Sequence, residues 1–221
     1  MATTQDEIAT PIYAAIGNAL VRWARLEYGV CQVFCEALSP AAHDPNGNSI
    51  TTFSPASDAF WATMSFEAKL KMTTAAVEAR LSRPSQYASD SLLAEWAKLA
   101  KRVGEKSRSR NKLAHGGMLW TTNPDGSLRA DYVPYYFPIM SGKHTIHAYP
   151  GGGGEMHIAS SLPSEKSRMS AKRIETIRCG FDVAIQRLNR FLGALREHNT
   201  AVSEELAATR RFFESAQQGQ T

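Results

Sequence analysis

Apolar residues recur at spacings of three and four along four long stretches of this chain, which is the pattern of amphipathic α-helices. The stretches run from Pro11 to Leu38, from about Ser65 to Leu81, from about Ser89 to Gly116, and from about Ser170 to Glu197. Prolines or glycines follow the first three stretches and mark their ends, because neither residue continues a helix well. Four long helices are therefore predicted, with their apolar faces forming the core.

The apolar stripes also predict which side of a helix is buried. In the second helix the expected buried residues are Phe66, Leu70, Val77 and Leu81. Beyond Glu197 a further helical pattern, at about residues 200–216, places four residues on one stripe, namely Val202, Leu206, Thr209 and Phe213. This C-terminal extension is expected to dock on the domain or on another chain.

Between the third and last helices the period changes to that of β-strands. From Met118 to Ile158 the chain has short runs rich in aromatic and β-branched residues, separated by the turn sequence Asn123–Gly126 and by the glycines at 151–154. We predict one or two β-hairpins, inserted at about residues 117–160. The segment from Ala41 to Ser57 shows neither period and is predicted to be a loop.

Size and composition indicate one domain covering residues 1–221. The chain has 221 residues, of which 43% are hydrophobic, and this is enough for a core and an insertion. Three cysteines, an odd number, are typical of a reducing compartment. The start, Met1–Glu7, lacks the basic and apolar runs of a secretory signal, and no window has the ~20 apolar residues of a membrane span. We expect a soluble, cytoplasmic protein with no membrane partner.

Positive charge is concentrated in the third predicted helix. The net charge is +4, yet the stretch from Lys98 to Lys112 contains seven Lys or Arg residues against one Glu. Such a basic face suits a nucleic-acid backbone, although a solvated helix surface has the same composition. The residues predicted to contact RNA phosphates are Lys101, Arg102, Lys106, Arg108 and Lys112.

The basic run ends in the sequence Arg110-Asn111-Lys112-Leu113-Ala114-His115-Gly116. An arginine presents a fork of donors that matches phosphate oxygens, and a histidine exchanges a proton near neutral pH without a metal. These are the groups that cleavage of a phosphodiester needs. Alternatively, Arg110 and His115 make structural hydrogen bonds at a helix C-terminus, where the helix dipole favours cations.

The spacing of the two residues constrains their geometry. Five positions along an ideal α-helix separate Arg110 and His115 by about 140° around the axis, whereas Arg108, Asn111 and His115 nearly share a face. Either the helix is distorted before Gly116, with Ser107 and Ser109 helping to break it, or a phosphate lies across the helix end and is approached from two sides.

This segment resembles the R-x4-H motif of the HEPN superfamily, the higher eukaryote and prokaryote nucleotide-binding domains. The order of helices and the β insertion is similar to that family from about Pro11 to Glu197. The resemblance implies a mainly α fold, an antiparallel four-helix bundle with a β-hairpin insertion between the third and last long helices. It also implies a metal-independent endoribonuclease of the toxin or phage-defence kind, with no cofactor and with an antitoxin or another protein as a possible partner.

The resemblance further implies roles for three residues. His115 is the acid, the base or the group that positions the ribose 2′-hydroxyl, Arg110 clamps the phosphate, and Asn111 orients one of them. A homodimer brings two copies of the motif around one phosphate, as in HEPN nucleases. Glu27 interrupts the apolar stripe of the first helix and is expected to steady Arg110 or another basic residue, or else to reach solvent at the edge of the stripe.

Two other classes of function remain compatible with the sequence. One is a HEPN-like module that binds RNA, a nucleotide or a protein without chemistry. The other is a scaffold whose β insertion or C-terminal helix recruits other chains. Cleavage that depends on His115 distinguishes the enzyme from both, and arginine-dependent binding without cleavage distinguishes the binding module from the scaffold.

Overall fold

The computed structural model describes residues 4–38, 55–82, 89–134, 145–146, 156–157 and 164–218, and this part of the chain is mainly helical. The helices are α1 (Gln5–Leu38), α2 (Pro55–Ala62), α3 (Phe66–Leu81), α4 (Ser89–Ala114) and α5 (Ala171–Gln218). The strands are β1 (Gly116–Thr122), β2 (Leu128–Pro134), β3 (Thr145–Ile146) and β4 (Met156–His157). A mainly α fold with a β insertion before the last long helix is confirmed, whereas the four-helix HEPN-like arrangement stays a prediction.

The β insertion contains an antiparallel hairpin, β1 with β2, whose register runs from Gly116 opposite Pro134 to Thr122 opposite Leu128. The predicted turn closes it, because the Asn123 N–H donates to the Ser127 carbonyl at 2.8 Å and Gly126 adopts a φ of +82°, which glycine tolerates best. Strands β3 and β4 also pair antiparallel. The glycines at 151–154 lie outside the described residues.

Local hydrogen bonds explain where two helices begin. Helix α1 starts at Gln5, six residues before the predicted start, because Thr4 and Glu7 form a reciprocal cap: the Thr4 N–H donates to Glu7 Oε2 at 2.8 Å and the Glu7 N–H to Thr4 Oγ1 at 3.3 Å. Helix α3 begins as predicted, since the Ser65 hydroxyl accepts the Ala68 N–H at 3.1 Å.

Two predictions around α2 and α3 were wrong. Residues 55–57, predicted as loop, belong to α2, a two-turn helix too short to show a helical period, which buries Phe60 with its ring centroid 6.0 Å from that of Phe34. In α3 Val77 and Leu81 are buried as predicted, but Lys69, Thr73 and Ala76 complete the buried face, so the predicted stripe was wrong in its first half. Phe66 and Leu70 are only half-buried. Lys69, which lies between them in the sequence, is buried instead because it forms an ion pair with Glu27.

Helix α5 continues through the predicted C-terminal extension, since residues 198–201 contain no glycine or proline to end it. At this point Asn199 is buried and donates from Nδ2 to Glu36 Oε1 at 2.8 Å. Its Oδ1 accepts from Arg80 Nε at 2.6 Å. The amide therefore has partners on two other helices and holds α5 in place where its exposed C-terminal part begins.

The chain forms two compact units. One comprises residues 1–23 and 107–181, and the other comprises residues 24–106 and 182–221. Each has its own buried aromatic contact: Trp23 meets Phe181 edge to face at 5.6 Å in the first unit, and Trp96 meets Phe191 at 5.1 Å in the second. Helices α1, α4 and α5 contribute residues to both units, so neither is a continuous segment, and the single domain stays a prediction.

Candidate functional site

The predicted motif lies in the first unit, at the C-terminal end of α4. The helix is uninterrupted at Ser107 and Ser109 and ends at Ala114. The N–H of His115 still donates to the carbonyl of Asn111 at 3.1 Å, as the next helical residue would. The helix is therefore not distorted before Gly116, and a phosphate that contacts both Arg110 and His115 has to lie across the end of the helix.

Arg110 and Asn111 are brought together by the structure. Arg110 Nη1 donates to Asn111 Oδ1 at 3.0 Å, and both side chains are half-buried. The hydrogen bond uses one of the five guanidinium donors, so the others stay available to an anion. Asn111 thus restricts the rotamers of the arginine, which lowers the entropic cost of placing it on a phosphate.

His115 is exposed, and the chain next to it is packed tightly. A Cβ atom at Gly116 would collide with the Val133 carbonyl oxygen and would lie 2.6 Å from the Tyr132 Cζ and Oη atoms. Glycine is therefore required at this position by close approach of the facing strand. The residue that follows the histidine is fixed against β2, which determines the direction in which the chain leaves α4.

Tyr132, on strand β2, fixes the end of α4 by a hydrogen bond. Its hydroxyl donates to the carbonyl of Leu113 at 2.6 Å, one of the last carbonyls that a helix leaves without an internal partner. Burial raises the pKa of Tyr132, so the hydroxyl stays protonated as a donor at neutral pH. Its backbone forms a two-way bridge with Met169, at 3.0 Å and 2.7 Å. This role could not be predicted from the sequence, because Tyr132 and Leu113 meet only through the hairpin register.

We predict that Gly116→Ala lowers the free energy of unfolding by about 1–3 kcal/mol, because the new methyl group meets a backbone carbonyl that has little freedom to move. Gly17→Ala is the matched control in the same unit: it lies in α1 with nothing within 4 Å of the added atom, and it should stabilise by up to about 1 kcal/mol through helix propensity. Urea denaturation measures both. Equal effects of the two substitutions would contradict the close-packing argument.

The basic residues predicted for RNA contacts lie along α4. Lys101, Arg102, Arg108 and Lys112 are exposed and Lys106 is half-buried. Because positions four and seven apart share a helix face, Arg108 and Lys112 lie on the face that carries His115. Arg102 and Lys106 precede Arg110 at intervals of four. The helix therefore has two basic rows. Arg108 and Lys112 lead to His115, and Arg102 and Lys106 lead to Arg110.

Glu27 forms an ion pair with a lysine of α3. It lies in the second unit, and its Oε1 is 2.8 Å from Lys69 Nζ. The ammonium group of Lys69 also lies over the rings of Phe60 and Trp61, at 5.1 Å and 4.5 Å from their centroids. The basic residue that Glu27 steadies is therefore Lys69, and this cluster accounts for a carboxylate in the apolar stripe of α1.

Comparisons with known proteins do not indicate a family for this chain. Among the described residues, no helix has the length and apolar character needed to cross a membrane. No protein-family model matches the chain, and neither a curated protein nor a solved structure does.

Proposed function

We propose that this chain is a metal-independent endoribonuclease whose site is formed by Arg110, Asn111 and His115. The observation that carries the proposal is the end of α4, where a half-buried arginine is held by an amide and an exposed histidine follows five residues later. The resemblance of this motif to that of HEPN nucleases supports the same reaction. The basic rows along α4 supply electrostatic attraction for a polyanion.

The proposed reaction is attack of the ribose 2′-hydroxyl on the adjacent phosphorus. A base removes the 2′-hydroxyl proton as the new oxygen–phosphorus bond forms, and an acid protonates the 5′-oxygen as its bond to phosphorus breaks. The products are a 2′,3′-cyclic phosphate and a free 5′-hydroxyl. Arg110 stabilises the extra negative charge of the crowded phosphate, while Asn111 holds the guanidinium in place.

His115 performs one of the two proton transfers in this scheme. A homodimer in which two motifs meet at one phosphate supplies the second histidine, so we include this dimer in the proposal. A role as a toxin or in phage defence, in the cytoplasm and with an antitoxin or other protein partner, belongs to the proposal through the family resemblance alone.

A second candidate is an RNA-binding module without chemistry, and the exposure of Arg108 and Lys112 favours it. Incubation of the purified chain with labelled RNA in excess EDTA separates the two candidates. The enzyme yields fragments ending in 2′,3′-cyclic phosphate, and a substrate with 2′-O-methyl groups throughout stays intact. Binding without fragments on a broad set of RNAs selects the module, and cleavage that is lost on chelation and restored by a divalent ion contradicts the mechanism.

Reversing two charges in the basic rows should weaken RNA binding and reduce its salt dependence. Each phosphate neutralised on a single strand contributes about −0.7 to the slope of log K against log salt, so Lys106→Glu with Arg108→Glu should flatten the slope by about 1.4. Lys172→Glu with Arg190→Glu is the matched control, because it makes the same charge change at two exposed positions of α5. Binding measured by fluorescence anisotropy at several salt concentrations tests this, and equal slopes for both doubles would exclude α4 as the RNA-binding face.

A further inference from the structure

Helix α5 carries a regular seam through the second unit. Leu188, Leu192, Leu195 and Asn199 follow one another at intervals of four, three and four, and all four are buried. These intervals are those of the a and d positions of a heptad repeat. Leu188 and Leu195 occupy d, and Leu192 and Asn199 occupy a. In this part of the helix the seam packs against the other helices of its own chain.

The same spacing continues beyond the packed part of the helix. Val202, Leu206 and Thr209 take the next d, a and d positions without a change of register, and the sequence continues with Phe213 and Ala216. Val202 is half-buried, but Leu206 is 65% exposed and Thr209 is also exposed. The seam that is buried as far as Asn199 thus continues in the sequence, and its positions Leu206 and Thr209 are exposed.

The apolar face of α5 also becomes narrower beyond Asn199, where the helix becomes more exposed. In the packed part the g positions Ala184, Phe191 and His198 are buried together with a and d, which makes the broad face of a globular core. The next g position is Glu205, a charged residue. At Glu205 the apolar face is therefore reduced to the a and d positions, the narrow seam that accommodates one partner helix rather than a domain surface.

The charges beside the seam are complementary to those of a second copy of the same helix. In a parallel pair, a g residue faces the e residue five positions later on the partner, so Glu205 faces Arg210 of the second copy, and symmetry makes this ion pair twice. An antiparallel pair places g opposite g and e opposite e, and because neither g residue, Glu205 or Phe212, is basic, Glu205 has no cation to face in that arrangement. Arg210 is 81% exposed and pairs with Glu214 on its own helix at 2.8 Å, a surface contact weak enough to exchange.

We propose that residues 202–216 of α5 form a parallel two-stranded coiled coil with the same segment of a second copy of this chain. A segment of this length is marginal as an isolated helix, but here it extends a helix that is already folded, so association does not bear the cost of helix nucleation. Phe212, 69% exposed and at the g position after Glu205, adds apolar area beside the seam. The interface does not depend on the proposed ribonuclease activity.

The oligomeric state of the full chain tests the seam. Without RNA, when the two motifs of the proposed nuclease have no phosphate to meet at, sedimentation equilibrium should give a dimer at micromolar concentration for the unmodified protein and a monomer for Leu206→Asp, with the far-UV circular dichroism unchanged. Ala208→Asp places the same residue on the exposed outer face two positions away, and this control should stay a dimer. An unmodified protein that is monomeric, a dimer that survives Leu206→Asp, or a control that dissociates overturns the proposal.

A charge exchange tests the register and the direction of the helices. Glu205→Arg and Arg210→Glu should each raise the dissociation constant about tenfold, because each variant faces its own copy with two like-charged pairs. An equimolar mixture of the two variants should form a heterodimer with both pairs attractive and with the affinity of the unmodified protein. If the mixture associates no better than the single variants, the parallel pairing is wrong.

Discussion

Replacing His115 with alanine is expected to lower the rate of RNA cleavage by about 10²–10⁴-fold, the range over which a positioned acid or base contributes. The free energy of unfolding should change by less than about 1 kcal/mol, because the side chain is exposed at the end of α4. The rate is measured under single-turnover conditions with saturating protein, so that weaker binding does not enter. Arg110→Ala should reduce the same rate, since it removes the charge that stabilises the transition state.

Two further variants separate chemistry from other effects of the substitution. His115→Gln keeps a polar side chain of similar size but transfers no proton, so it should be as inactive as the alanine variant. Glu165→Ala, at an exposed residue of the same unit, should retain full activity. If His115→Ala binds RNA and cleaves it at the unmodified rate, another residue performs the proton transfer and the proposed site is wrong.

Replacing Lys69 with methionine is expected to lower the free energy of unfolding by about 3–5 kcal/mol, the usual effect of removing one partner from a buried ion pair. The Lys69 side chain is 7% exposed, and its ammonium group lies 2.8 Å from Glu27 Oε1. Methionine fills a similar volume, so the loss comes mainly from the carboxylate, which is left at 17% exposure without its cation. Urea denaturation followed by circular dichroism measures the change.

Two control variants show whether the lost ion pair causes the lower free energy of unfolding. Lys71→Met is two positions away and removes a lysine from a pair with Glu67, but both side chains are more than three-quarters exposed, so about 0–1 kcal/mol is expected. The double substitution Lys69→Met with Glu27→Leu should recover most of the stability, because no charge then stays buried. A double variant no more stable than Lys69→Met alone would show that the aromatic contacts of the ammonium group, rather than the ion pair, hold the cluster together.

The parts of the fold that could be predicted from the sequence are those that depend on local spacing. The start of α3 at Ser65 and the turn at Asn123–Gly126 follow from capping and turn chemistry within a few residues. Helix α2 was missed because eight residues give too few repeats to reveal a period. The predicted buried face of α3 differed from the observed one because the pattern assumes that a lysine is exposed. Lys69 is buried because its ammonium group pairs with a carboxylate 42 residues away.

The candidate site could likewise be predicted only where it depends on residues that are close in the sequence. The motif residues could be found from their types and spacing, and the end of α4 was predicted close to where it lies. The contact between Tyr132 and Leu113 could not be predicted, because it requires the exact pairing of β1 with β2 and the direction of a buried side chain. Sequence spacing identifies the reacting groups and Asn111, which are neighbours along the chain, but Tyr132, which fixes the end of the helix that carries them, comes from elsewhere in the fold.

The close packing of Gly116 affects how genetic data on this protein should be interpreted. In a saturation screen scored by loss of activity, every side chain at Gly116 meets the same carbonyl of Val133, so nearly all substitutions should fail together, as they do at a reacting residue. Intolerance at this codon would then report the space beside β2 rather than a chemical role. Scoring protein abundance in the same library distinguishes the two, because Gly116 variants should be depleted as folded protein whereas His115 variants should accumulate normally.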